Sequence, residues 1–284
     1  MKKVNLFLFL LVFNKITIAQ QINIGLFQQL EIDKLFIEAS AGKYKIKGDG
    51  KKLYQLKNDR NIILKYTNGM ISVSNSKKDF GLHTEIEIVA RNYNYNKSHN
   101  KPNSRKNSEL NIKLITPKQD TRTYQGNLNV KVYNKQLEII NQIAMPDYLA
   151  GVVEAESGPN EVIEYYKNQA IICRTYALKN LEKHKNEGFH LCDGVHCQAY
   201  KGKSTNNKII PKAVTDTKDL VIVDNDNQLI EALFSANCGG QTNNSEDVWS
   251  SALPYLRSIA DTFCIDQSKH SGQKKLILAN GKTS

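Results

Sequence analysis

Two acidic residues lie close together at the end of an otherwise apolar segment. Glu154 and Glu156 follow the apolar residues 148–153, and a Ser-Gly-Pro break at 157–159 comes directly after them. A carboxyl group can donate a proton in one step and accept one in the next, which suits general acid–base catalysis. Residues two apart on a helix do not share a face, so we expect only one of these carboxyl groups to line a cleft. The alternative is that both are ordinary solvated acids at a helix end.

A second group of reactive side chains combines thiols with imidazoles. His190, Cys192, His196 and Cys197 fall within a single short segment of the chain. Thiolate and neutral imidazole are ligands that suit zinc, so this group predicts a zinc site. A disulfide that joins Cys192 to Cys197, or one of them to another cysteine, is the competing interpretation, and the sequence leaves these open. Either arrangement would staple the loop that follows.

The amino-terminal residues have the pattern of a secretory signal. Lys2 and Lys3 precede an apolar run at 4–13, and small residues end the pattern at Ala19. The run is well short of the roughly 20 residues needed to cross a bilayer, which disfavours a retained anchor. We therefore expect residues 1–19 to be a signal peptide and the mature chain to be exported without a transmembrane span.

The charge balance points to an acidic partner. The chain has 284 residues and a formal net charge of +11. Removal of the signal takes away the three lysines Lys2, Lys3 and Lys15 and leaves +8. Such a balance favours an anionic polymer or surface. Nucleic acid is not expected, because export argues against it and no nucleic-acid recognition motif is evident.

The hydrophobic pattern predicts an α+β protein: a β-rich amino-terminal region that leads into a mixed α+β catalytic domain with one long core helix. Residues 20–138 contain short strand-like runs separated by Gly, Asn and Asp turns, and residues 92–107 lack aliphatic side chains and predict a mobile loop. An alternative is that Tyr93, Tyr95 and the basic residues of this loop bind a polysaccharide or nucleic acid.

Residues 139–284 form the second region, in which apolar residues at three- and four-residue intervals predict a helix over 160–184. Strands are expected at 220–223 and 229–234.

Six segments of the second region, taken together and in order, resemble one known family. They are residues 148–156, 169–177, 192–200, 213–217, 235–242 and 245–256. Their ordered occurrence resembles the stage II sporulation protein D family, over about residues 139–264. The amino-terminal region resembles the family only in its general β-rich character.

The resemblance implies an activity and a set of site residues. Members of this family are lytic transglycosylases or amidase enhancers, and the family's catalytic carboxylate falls on Glu156. Polar residues and glycines inside the family-like motifs are the candidates for substrate binding. They are Arg174, Tyr176, Gln198, Tyr200, Ser235, Gly239, Gly240 and Glu246. We place Arg174 and Tyr176 toward the cleft, and a structural hydrogen-bond or salt-bridge role is the equal alternative for both. For Gly239 and Gly240 the alternative is a simple turn.

The resemblance therefore implies an exported enzyme of the bacterial cell envelope that cuts peptidoglycan glycan strands and forms anhydro-muramic acid ends. No cofactor is required, although some family members carry zinc near the Cys/His group. The alternative is a non-catalytic wall-binding protein that enhances an N-acetylmuramoyl-L-alanine amidase. A zinc hydrolase acting on wall peptides is a third reading, which depends on the Cys/His group alone.

The remaining three cysteines, Cys173, Cys238 and Cys264, are predicted to stabilise the fold. Cys173 lies within the helical pattern and is expected in the core as a small hydrophobe. Cys238 and Cys264 flank residues 246–256, and their pairing is the preferred disulfide because it would close that loop. The last residues, 276–284, are strand-like without a clear end, so truncation of the domain at the carboxyl terminus stays open.

Overall fold

The computed structural model describes residues 21–261, with the exception of residues 59, 92, 94–107, 159, 205–207 and 236. The expected signal peptide, most of the expected loop at 92–107 and Cys264 lie outside the described residues. Among the helices of the described part, none is long and apolar enough to cross a membrane.

The described residues form two antiparallel-rich sheets, four α-helices and a 3-10 helix at Lys185–Glu187, which confirms the α+β expectation. One sheet has the order β13-β1-β12-β11-β8-β3-β4 and the other the order β10-β9-β2-β5-β6-β7. The strands are β1 Gln21–Leu26, β2 Lys34–Ala41, β3 Lys43–Gly48, β4 Lys51–Lys57, β5 Asn61–Thr67, β6 Met70–Ser74, β7 Asp79–His83, β8 Glu85–Ala90, β9 Glu109–Thr116, β10 Arg122–Gln125, β11 Asn127–Tyr133, β12 Gln136–Ala144 and β13 Leu191–Cys192. The helices are α1 Met145–Ser157, α2 Ile163–Lys179, α3 Ile209–Asp216 and α4 Ser245–Val248.

Alternation of apolar and polar residues decides which face of each strand is buried. In β2, for example, Leu35, Ile37 and Ala39 are fully buried, whereas the residues between them are partly exposed. Side chains of successive strand residues point to opposite faces, so this pattern gives each strand one core face. The buried residues of both sheets and of the first three helices form one hydrophobic cluster.

That shared core places the β-rich region and the central helices in one compact unit. The unit contains the described residues up to Val223 together with residues 229–232. Strand β12 crosses the expected division at residue 138 and runs directly into α1 at Met145. The division between compact units therefore falls after Val223, and residue 138 lies within a continuous strand.

Helix α2 is the predicted core helix, although it is shorter than the expected 160–184. Its buried face includes Tyr166, Ala170, Cys173 and Ala177, which follows the predicted spacing. The helix begins after Val162, and no side chain caps its first turn. Instead, the Tyr166 hydroxyl accepts a hydrogen bond from the Glu161 amide and donates one to the Gly158 carbonyl.

Arg174 joins α2 to the end of α3, which corrects the expectation that it faces a cleft. Its guanidinium donates to the carbonyl oxygens of Thr217 (2.9 Å), Leu220 (3.1 Å) and Val214 (3.2 Å). The last carbonyls of a helix lack partners within it, and the negative end of the helix dipole favours a cation. Arg174 is 4% exposed, so its donors are committed to the inside of the fold.

The second compact unit comprises residues 224–228 and the described residues from Leu233 onward.

The prediction of strands at 220–223 and 229–234 is wrong, since the described residues 220–234 form only one isolated bridge, between Val223 and Leu229. Leu220, Val223 and Phe234 are exposed, so these apolar runs lack the buried face that a sheet would provide.

We expect Arg174→Met to lower the free energy of unfolding by about 2–4 kcal/mol, because hydrogen bonds to a buried charged group are worth more than neutral ones and the carbonyls lose their donors. Lys179→Met is the matched control, since Lys179 is exposed at the end of the same helix. Urea unfolding of both variants measures the difference. Equal stability of the two variants would contradict the assignment of Arg174 to α3.

Candidate functional site

The carboxyl end of α1 lies against the loop formed by residues 198–204. The helix packs its apolar residues, among them Val152 and Val153, into the core and ends at Gly158, whose φ of +74° breaks the helical backbone. Ser157 and Gly158 therefore end the helix as predicted. This places Glu154 and Glu156 in the last turn, next to that loop.

Glu156 is exposed and is fixed by one backbone donor. The amide of Ala199 donates to Glu156 Oε1 at 2.7 Å. A hydrogen bond from a backbone amide fixes the orientation of the carboxyl group. Val152 and Val153 are buried in the core and do not form an apolar pocket around this carboxyl group.

Glu154 contacts the same loop as Glu156. Its carboxylate accepts a short hydrogen bond from the Ser204 hydroxyl. Both carboxyl groups therefore contact one loop, although they are two residues apart on the helix. The expectation that only one of them lines a cleft stays a prediction. Gly151 allows this contact: a Cβ built there would lie 2.2 Å from the Gly202 carbonyl oxygen.

Cys173, on α2, is a buried thiol close enough to Glu156 to feel its charge. Burial raises the pKa of Cys173 to about 12, and the negative charge of Glu156 contributes to the same shift. Cys173 is fully buried on α2, as expected for a small core residue. It therefore stays neutral and is not a candidate nucleophile.

Gln198 and Tyr200, which we expected to bind substrate, lie inside the fold. Gln198 accepts from the Tyr148 hydroxyl at 3.2 Å and donates to the Cys173 carbonyl at 3.3 Å. The Tyr200 hydroxyl donates to the Asn141 side chain at 3.2 Å. Gln198 and Tyr200 are 4% and 0% exposed, so their polar groups hold the loop and do not reach solvent.

Tyr176 is also mostly buried, but its hydroxyl faces a lysine near the Cys/His group. Lys183 Nζ lies 3.2 Å from that hydroxyl and donates to the His196 carbonyl at 2.7 Å. Burial raises the pKa of Tyr176, so the phenol remains neutral. The residue packs beside the thiols, and its expected role in substrate binding stays a prediction.

The other expected substrate-binding residues belong to the second compact unit. Ser235 is exposed, and Gly239 and Gly240 have φ values of +68° and +99°, which only glycine adopts readily. The guanidinium of Arg257 holds Glu246 with bonds of 2.8 and 2.5 Å and lowers the pKa of that carboxyl to about 2. Their contact with a glycan stays a prediction.

The Cys/His group is assembled from three of the expected residues and one that was not expected. One ligand atom of each of His184, Cys192, His196 and Cys197 lies within 4.8 Å of every other. His190 is outside the group, since its Nδ1 accepts a hydrogen bond from the Asn23 amide. The sequence carried the signal for His184 only as a histidine thirteen residues before Cys197, beyond the short segment that we considered.

The two thiols and two imidazoles supply the four ligands that a tetrahedral structural zinc ion typically has. Cys197 Sγ lies 3.4 Å from His184 Nε2, and both sulfurs lie 3.8 Å from His196 Nδ1. Cys192 and Cys197 are free thiols in the structure. A hydrogen bond between the two thiols lowers the pKa of Cys192 and raises the pKa of Cys197.

Neighbouring groups orient these ligands. Glu187 Oε1 lies 2.6 Å from His184 Nδ1, which leaves Nε2 to face the sulfurs. A carboxylate that holds the second nitrogen of a ligating histidine is a common feature of zinc sites. Cys192 is fixed by β13, which pairs in parallel with β1 at Ile24 and Gly25.

Cys238 lies in the second unit, where its Sγ is 3.4 Å from an oxygen of the Asp261 carboxylate. Its expected partner, Cys264, lies outside the described residues, so the disulfide stays a prediction.

Part of the chain is similar to known proteins. Residues 133–223 match the family model described as stage II sporulation protein. The chain is 29% identical over 167 residues to stage II sporulation protein D of Bacillus subtilis, which covers 54% of this chain and 48% of that protein. It is 36% identical over 114 residues to an amidase enhancer of the same species, covering 40% of this chain and 15% of the enhancer.

An uncharacterised protein of Brachyspira hyodysenteriae is 34% identical over 147 residues, covering 51% of this chain and 40% of that protein. The chain thus spans less than half the length of each of these relatives. The matched segment contains α1 with Glu156, the buried helix α2 and the complete Cys/His group. Residues 133–223 are thus similar to the stage II sporulation protein family, which agrees with the resemblance that the order of the motifs predicted.

Proposed function

We propose that this protein is an exported lytic transglycosylase that cuts peptidoglycan glycan strands in the bacterial cell envelope, with Glu156 as acid and base. The observation that carries the proposal is an exposed carboxylate held by a backbone amide at 2.7 Å, on a helix end that belongs to the family-matched segment. The names of two relatives, a sporulation protein and an amidase enhancer, support a role at the cell wall.

One carboxyl group is sufficient for this reaction. Protonated Glu156 gives its proton to the glycosidic oxygen as the bond between that oxygen and C1 of the muramic acid breaks. The carboxylate then takes the proton of the sugar's own C6 hydroxyl as that oxygen bonds to C1, which closes an anhydro ring. The proton returns to Glu156, and no water is consumed.

The structure suggests how one residue could serve both steps. The Ala199 amide holds one carboxylate oxygen of Glu156 in place, so the same group is positioned for both proton transfers. A glycan strand lying on the exposed Glu156 would exclude water from the reacting atoms during both steps.

We further propose that His184, Cys192, His196 and Cys197 bind a structural zinc ion. Bound zinc would tie β13 to the segment that precedes Ala199, and it would hold the loop against α1. Four protein ligands leave no open position for water, which is typical of structural rather than catalytic zinc. This arrangement does not support the zinc hydrolase reading.

A second candidate function is enhancement of a wall amidase without catalysis. The 36% identity to an amidase enhancer favours it, together with the structural use of Glu156 as a tether for Ala199. In that case Glu156 would position the loop for a protein partner.

We expect Glu156→Gln to abolish release of anhydro-muramic products, with a loss of about 10²–10⁴-fold, because glutamine keeps the contact area but has no proton to give. Mass spectrometry of digested wall glycans measures the products. Glu164→Gln is the matched control, since Glu164 is an exposed acid on α2. Glu154→Gln should be far milder than Glu156→Gln.

Equal product release by the wild type and Glu156→Gln would contradict the catalytic assignment. If neither protein releases anhydro products and both stimulate an added amidase equally, the enhancer function replaces it.

We expect purified protein to contain about one zinc ion per chain, since a closed four-ligand set binds a single ion. His184→Ala and Cys197→Ser should lose the metal and unfold at lower temperature, whereas His190→Ala should retain it. Metal analysis and thermal unfolding with and without a chelator give the comparison. Retention of zinc by His184→Ala but not by His190→Ala would contradict the ligand set.

A further inference from the structure

The outer face of β3 and β4 carries a concentration of lysines far along the sheet from α1. In β3, Lys43, Lys45 and Lys47 alternate with the buried residues Tyr44 and Ile46, so the three lysines share the outer face. Lys43 and Lys45 are exposed. The spacing of alternate residues along a strand is about 7 Å.

Strand β4 adds lysines to the same face, directly beside those of β3. Lys57 is the cross-strand partner of Lys43, and Lys52 is the partner of Lys47. Lys52 and Lys57 are both exposed. Like charges at directly opposed positions destabilise a sheet, so these pairs oppose folding and call for a compensating partner.

The described residues place few acidic side chains beside these lysines. Lys47 is paired with Glu87 of β8 at 2.8 Å. For Lys43, Lys45, Lys52 and Lys57, the described residues provide no ion pair. The segment 92–107, which follows β8, contains several Lys and Arg residues and no acid, so it adds positive charge to the chain. The face therefore keeps four uncompensated charges, those of Lys43, Lys45, Lys52 and Lys57.

Protection of a sheet edge explains only half of this arrangement. Lysines on an edge strand prevent the pairing of further strands, and β4 is the last strand of its sheet. Strand β3 is an interior strand, with β4 on one side and β8 on the other. Lys43 and Lys45 therefore do not guard an edge.

We propose that the lysine face, defined as Lys43, Lys45, Lys52 and Lys57, binds a linear phosphodiester polymer such as a polyol phosphate chain of the cell wall. An extended polyanion matches two parallel rows of ammonium groups, and its counterions are released on binding. The inference is independent of the role of Glu156, because it concerns binding alone.

Two other anionic partners fit this face less well. Single-stranded nucleic acid requires aromatic side chains on which bases stack, and a membrane surface requires apolar side chains that insert. On the described outer face of β3, the lysines alternate with buried residues, and the buried Tyr44 points to the core. The face thus offers charge without a stacking or inserting group.

The test measures binding of the full chain to fluorescent, lipid-free poly(glycerol phosphate) over a series of salt concentrations. The variant Lys43→Gln/Lys45→Gln/Lys52→Gln/Lys57→Gln should bind about tenfold or more weakly, and each lost contact should reduce the salt slope by roughly 1. The control Lys65→Gln/Lys77→Gln/Lys113→Gln/Lys118→Gln removes four exposed charges from other positions and should bind nearly as the wild type does.

Thermal unfolding of both variants distinguishes lost binding from lost folding. The first variant should be at least as stable as the wild type, because it removes opposed like charges. The proposal is overturned if both variants lose affinity equally, if the first variant binds as the wild type does, or if it unfolds. Tighter binding of the wild type to anionic lipid vesicles or single-stranded DNA than to the polymer also overturns it.

Discussion

The close approach of the loop at 198–204 to both α1 and β10 is the constraint on which the site depends. A Cβ on Gly151 would lie 2.2 Å from the Gly202 carbonyl oxygen, and a Cβ on Gly202 would lie 2.3 Å from the Thr123 carbonyl oxygen. Gly202 also has a φ of +107°, which side chains disfavour. The loop is thus held between the helix and the strand at a distance that only glycines permit.

Once the loop is held there, its side chains have fixed environments. Tyr200 enters the core between Tyr124 and Tyr148, with ring centroids 5.8 and 5.1 Å from its own. The Ala199 amide then faces Glu156, and Ser204 faces Glu154. The same geometry that buries an aromatic ring therefore also orients the candidate catalytic carboxylate.

The Cys/His group acts on the same loop from its other end. Cys197 is two residues before Ala199, and Cys192 belongs to the short strand that pairs with β1. Buried polar contacts complete the support, since Gln198 joins α1 to α2 through Tyr148 and the Cys173 carbonyl. A buried polar group is stable only when its hydrogen bonds are satisfied, so these contacts fix a single position of the loop.

The amino-acid sequence alone was enough to predict the α+β class, the core face of α2, the end of α1 at Ser157 and Gly158 and the similarity of residues 133–223 to the stage II sporulation protein family. These follow from local periodicity, from turn chemistry and from motif order, which are all written along the chain. The tertiary structure decided that Arg174, Gln198 and Tyr200 lie inside the fold, that Glu154 shares a loop with Glu156, and that His184 replaces His190 beside the thiols. Each of those outcomes depends on contacts between residues that are distant in sequence. The sequence of a motif does not show whether the partner of a polar side chain is a backbone carbonyl or a substrate.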